Sequence, residues 1–262
     1  MDIEIPLLRI KRAQAQLDTL KDELDRYTDR SQGETHTIVP EGDDDPNVQH
    51  FRFFLRRVPP RIIGVLIGEC VHNLRAALDN LFFTYAGPHV SKRTLREIDF
   101  PICVERDVFE AKAASNFKNL PAKGLGLLRS VQPYRREYEG RRWNDRWRDP
   151  HAHPLAMLQR ISNSDKHRIP VIALINIVET SIAVSTGKAP RVMRANGCLD
   201  DGAIAARLDF SDSEPDIHIQ AALTFGIALD EWGPISGMPL TEVLIGIHQY
   251  IDLAVVGEFG KL

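Results

Sequence analysis

The chain has 262 residues, with 33 basic against 36 acidic side chains, 43% apolar and 26% charged residues. That is the balance of a folded globule with a substantial core, which excludes global disorder, a collagen-like rod and a coiled coil. A net charge of −3 argues against a general nucleic-acid coat and leaves room only for a local basic patch.

Cys70, Cys103 and Cys198 are widely spaced and odd in number, with no CxxC, so neither a disulfide framework nor a cysteine-based zinc site is expected. The opening residues lack a basic leader followed by an apolar run, and the longest apolar stretch, Val171–Val178, is too short to span a bilayer. The expected compartment is the cytoplasm, with no membrane partner.

Leu7, Leu8, Ala13, Leu17, Leu20, Leu24 and Tyr27 fall mostly on one stripe and predict a helix that buries one face. The stretch from Thr28 to Asn47, rich in Gly, Pro and Asp, reads as a solvated loop. Phe51, Phe53 and Leu55 then alternate with Arg52, Phe54 and Arg56, the period of a half-buried strand. After Pro59-Pro60, the apolar positions Ile63, Leu66, Ile67, Cys70, Leu74, Ala77, Leu78 and Leu81 predict a central helix that stops at Gly87-Pro88.

Ile98–Val104 reads as a short strand, Asp107–Leu120 as a helix and Gly124–Val131 as another. His153-Pro154 introduces a helix reaching about Ser162. Beyond Ile169, β-branched stretches punctuated by Gly, Pro and Asp predict three or four antiparallel strands, and an amphipathic helix after Pro239 closes the chain. The expected class is α+β: a mainly helical region over 1–168, then an antiparallel β region with a C-terminal helix over 169–262, the two forming either separate domains or one compact unit.

On the central helix, Glu69, His72, Arg75 and Asp79 share the face opposite the leucines. His and Asp suit acid–base chemistry and Arg stabilises anions. A second cluster, Asp165, Lys166, His167 and Arg168, stands at a helix-to-strand junction. If the two clusters meet, Asp165 pairs with Arg75, and Asp79 with Arg168 or His167. The candidate catalytic set is His72, Arg75, Asp79, Asp165, His167 and Arg168, and a purely structural network of the same residues is favoured over it.

The run from Gly68 to Asn80, D-F-P-I at Asp99–Ile102, Q-P-Y at Gln132–Tyr134 and S-D-K-H-R at Ser164–Arg168 resemble, in this order, a family of uncharacterised bacterial proteins with an H-N-L-R-x-x-L-D helix and a D-K-H-R segment. That resemblance implies no activity. In outline the helical region is also similar to HEPN domains, whose RNase members place an Arg four to six residues before a His. Arg146–His151 and Arg148–His153 have a spacing of five and Arg160–His167 one of seven; only Arg148 is followed by a polar residue, and Pro150 then breaks a helix. Carried over, the HEPN likeness implies a metal-independent RNase using His72 or His167 as acid/base and Arg75 or Arg168 on phosphate.

Between Tyr134 and Trp147, Arg141, Arg142, Trp143, Arg146 and Trp147 interleave base-stacking and phosphate-binding side chains, a pattern suited to single-stranded nucleic acid. Asp149, His151 and His153 hold metal-ligand types but no metal-site spacing, and no phosphate-binding glycine loop or nucleophile elbow occurs. No metal or cofactor is therefore expected. The leading functional reading is a non-catalytic protein that binds a partner or ligand; the alternative is the HEPN-like nuclease.

Overall fold

The computed structural model describes residues 2–136, 149–165, 172–184, 190–195, 199–210, 219–229 and 238–262. Long helices, antiparallel sheet and a closing helix are all present, as an α+β chain requires. The chain divides into two compact units, one of 1–21, 64–170 and 241–262, the other of 22–63 and 171–240. The units are thus interleaved along the sequence, and one of the crossings between them falls at 170/171. Strand pairing between sequence-distant segments is the reason, since it draws residues 36–55 into the β unit.

In the helical unit, α1 (Glu4–Thr28) buries Ile10, Ala13, Leu17 and Leu20, spaced three, four and three apart. Helix α2 (Ile62–Ala86) is the central helix the apolar stripe predicts: Ile63, Ile67, Cys70, Leu74, Ala77, Leu78 and Leu81 are each fully buried. Leu74→Ala should therefore cost about 2–5 kcal/mol through the lost contacts and the cavity left behind. A melting temperature unchanged within error would show that the site collapses freely. Burial also pushes the Cys70 thiol up to about 12, so it stays protonated and behaves as a small apolar core residue.

The shorter helices α3 (Lys92–Arg96), α4 (Arg106–Asn116), α5 (Ala122–Ser130) and α6 (Pro154–Asp165) follow. Phe82 anchors an aromatic cluster, edge-on to Phe100 at 5.9 Å and to Phe117 at 5.2 Å. Helix α7 (Leu240–Gln249) runs on through a π-helical stretch, Tyr250–Val256, into Gly257–Phe259. Among the described helices this one alone is long and apolar enough to cross a membrane, with a mean hydropathy of 1.3. Here Leu244, Ile247, Ile251, Val255 and Phe259 are fully buried in the protein's own core.

In the β unit, β1 (His36–Gly42), β2 (Val48–Leu55), β4 (Arg191–Arg194) and β5 (Ile204–Asp209) form one antiparallel sheet in the order β1-β2-β5-β4. The long strands β3 (Ile172–Val184) and β6 (Ile219–Leu229) pair with each other. Strand β1 lies inside the stretch expected to be loop. It is an edge strand, where Pro40 removes no donor the sheet needs, and the aspartates that made the stretch look solvated belong to the hairpin turn. There Asp43 accepts from the Asp45 amide and Asp45 from the Asn47 amide, the local turn chemistry of Asx residues. Phe53, Leu199 and Ala205 form the small core under this sheet.

Candidate functional site

The polar stripe on α2 divides into two parts with different partners. Arg75 donates from Nε to Asp79 at 3.1 Å, and its Nη2 reaches both Asp99 and the Phe100 carbonyl, each at 3.1 Å. Asp79 in turn accepts the Phe100 amide at 2.9 Å. Together these two residues hold the main chain of Asp99-Phe100 against the helix. A second clamp follows: Gln132, fully buried, accepts the Cys103 amide at 2.9 Å and donates to the carbonyls of Pro101 and Leu128.

This explains why residues 98–103 form no strand, contrary to the sequence reading. The amides of Phe100 and Cys103, which a strand would give to a neighbouring backbone, go to side chains of Asp79 and Gln132 instead. The H-N-L-R-x-x-L-D helix, the D-F-P-I segment and the Q-P-Y turn are thus parts of one fastening.

The other part of the stripe faces a groove of about 600 Å³ between α1 and α2, lined by Arg9, Arg12, Gln16, Glu69, His72 and Asn73 together with Val65 and Gly68. Its floor is a hydrogen-bonded ladder of two buried amides. The Asn73 amide donates to Gln16 at 2.9 Å and to the Glu69 carbonyl at 3.0 Å, and the Gln16 amide donates to the Glu69 carboxylate at 2.8 Å. Arg9 donates to the Asn73 oxygen at 3.0 Å. Arg12 and His72 are exposed. On α1 the positions Arg9, Arg12 and Gln16 recur at three and four, a polar face that the apolar stripe alone did not single out and that the same periodicity would have found.

His153, at the head of α6, has both ring nitrogens engaged. Nδ1 accepts the Leu155 amide at 3.2 Å, a helix cap. The proton therefore sits on Nε2, which donates to the Tyr250 hydroxyl at 3.1 Å, and that hydroxyl donates to the Val131 carbonyl. Burial, with Arg136 nearby, pushes the imidazole down to about 3, so it is neutral throughout the physiological range.

Below about pH 6.5 the unfolded chain gains a proton at this residue that the folded chain refuses. Stability from His153 is full above that pH and falls by roughly 1.4 kcal/mol per unit as the pH drops toward 3. His153→Asn keeps a capping oxygen and should flatten this slope in urea titrations between pH 6.5 and 4; identical slopes would refute the assignment.

His72, Arg75 and Asp79 are thus placed, and they do not form one site: His72 faces the groove, whereas Arg75 and Asp79 hold the 99–100 segment. Arg75 takes Asp79 and Asp99 as partners. The expected partner, Asp165, ends α6, but its side chain, and all of His167 and Arg168, lie outside the described residues. Arg141, Arg142, Trp143, Arg146 and Trp147 also lie outside them. Among the described residues no three His, Cys, Asp or Glu side chains gather as a metal would require. Asp149 caps the Pro150–Ala152 turn through the His151 amide. No protein-family model, curated protein or solved structure matches the chain.

Proposed function

We propose that this chain is a non-catalytic binding protein whose Arg75–Asp79 network is framework and whose ligand-facing surface is the groove between α1 and α2. The observation that carries the reading is what Arg75 touches. Its guanidinium meets two carboxylates and a main-chain carbonyl, all of them parts of the protein's own fastening. A phosphate would have to displace them.

The second reading, a HEPN-like nuclease acting on RNA, draws on a different feature: an exposed His72 shares an open groove with Arg9 and Arg12. One set of variants separates the two. Arg75→Ala should lower the unfolding free energy by about 2 kcal/mol, the value of hydrogen bonds to charged groups. A fully buried pair would cost more, but the Asp99 side chain is 68% exposed and water solvates it once stranded. Purified protein should leave single-stranded RNA intact. RNA cleavage that disappears in His72→Ala, with the melting temperature unchanged, would replace the binding reading with the nuclease.

A further inference from the structure

We infer that the groove between α1 and α2 binds a sugar phosphate, its phosphate held by Arg9, Arg12 and His72 and a sugar hydroxyl by Glu69. The inference rests on the binding-protein reading above and adds the chemical class of the ligand.

The floor of the groove is rigid and already satisfied. Gln16 is 4% exposed and Asn73 6%, and their amides bond to each other and to Glu69, so neither moves to meet a ligand. Their effect is on the groups above them. Asn73 holds one nitrogen of Arg9, and the Nε–Nη2 side of the same guanidinium has no acceptor among the described residues. A guanidinium fixed at one corner presents its remaining donors without further loss of rotamer freedom, the condition for bidentate capture of phosphate oxygens. Arg12 lies one turn along α1 and His72 beside Asn73 on α2, and neither makes a hydrogen bond or ion pair within the described residues. Arg12 and His72 thus line the groove unengaged among the described residues, beside an Arg9 that Asn73 holds by one nitrogen.

Glu69 decides between kinds of phosphate. Its Oε2 is occupied by Gln16, while Oε1 has no donor among the described residues. A carboxylate among the cations repels an extended polyanion, whose charges run the length of the groove. It favours a ligand with one anionic end and hydroxyl donors at the other, which satisfy that oxygen. Val65, 51% exposed on the groove wall, supplies an apolar surface for the face of a sugar ring. The volume, about 600 Å³, lies in the range of small-molecule sites.

The test is calorimetric titration of the full chain with glucose 6-phosphate, with glucose, inorganic phosphate and a short oligouridylate as comparison probes. Glucose 6-phosphate should bind more tightly than either of its halves. Arg12→Ala and His72→Ala, both at exposed positions, should each weaken it about tenfold or more with melting temperatures unchanged. Glu69→Gln should weaken glucose 6-phosphate and not inorganic phosphate. The inference is overturned by absence of binding at millimolar sugar phosphate, by binding indifferent to both Arg12→Ala and His72→Ala, or by oligouridylate binding more tightly than the sugar phosphate. Failure of the underlying reading shows differently: inorganic phosphate released from the sugar phosphate, or shortened RNA, in the same samples would make the groove an active site.

Discussion

Gln132→Met should lower the unfolding free energy by about 4 kcal/mol, although it changes side-chain volume little. Gln132 is fully buried, and its amide satisfies the Cys103 N–H and the carbonyls of Pro101 and Leu128. A thioether replaces none of these bonds, and each buried main-chain group left without a partner costs about 1–3 kcal/mol. The segment it holds carries Phe100, which packs on Phe82 and Phe259, so loosening the main chain also disturbs the aromatic cluster. Denaturant unfolding measures the loss directly. Asp99→Asn is the control: it touches the same segment at an exposed carboxylate and should cost under about 1 kcal/mol. Comparable losses for the two variants would mean that Gln132 contributes packing alone.

Gly124→Ala should destabilise the protein by about 3 kcal/mol, against the usual helix preference for alanine. Gly124 lies in α5, and a Cβ built there would stand 1.7 Å from the Tyr85 hydroxyl oxygen and 2.1 Å from the ring carbon that bears it. Gly124 lies in the first turn of α5, and without a side chain there the Tyr85 ring rests directly on the helix backbone. Tyr85 cannot easily retreat, because its ring is edge-on to Phe259 at 5.3 Å. In the double variant Gly124→Ala/Tyr85→Ala the overlap is gone, so the combined loss should be clearly smaller than the sum of the two single losses. Strict additivity would refute the steric account.

Much of the framework was legible in the sequence because the period of apolar residues reports directly which face of an element is buried. The positions of the α2 stripe are the buried ones, and Arg75 and Asp79, one turn apart, pair along the helix. Helix α6 begins where His153-Pro154 indicated. Strand β1 carries no such period for a specific reason. Its signal, Thr37 to Val39, is short and sits among Pro, Gly and three aspartates, and only pairing with β2 makes it a strand.

Of the candidate site, residue types and helix face follow from the sequence alone, while tertiary structure decided what those residues do. Nothing in the spacing of Arg75 indicates that Asp99, twenty-four positions on, will share its guanidinium, or that Gln132 will hold the far end of the same segment. Both are contacts between elements, settled by which helix packs where. The groove is likewise a product of two helices: α1 brings Arg9 and Arg12, α2 brings Glu69 and His72, and the buried Gln16–Asn73 bond joins them. Local periodicity determines which side of each helix is polar, but a binding surface needs two such sides facing one another, and only long-range packing supplies that.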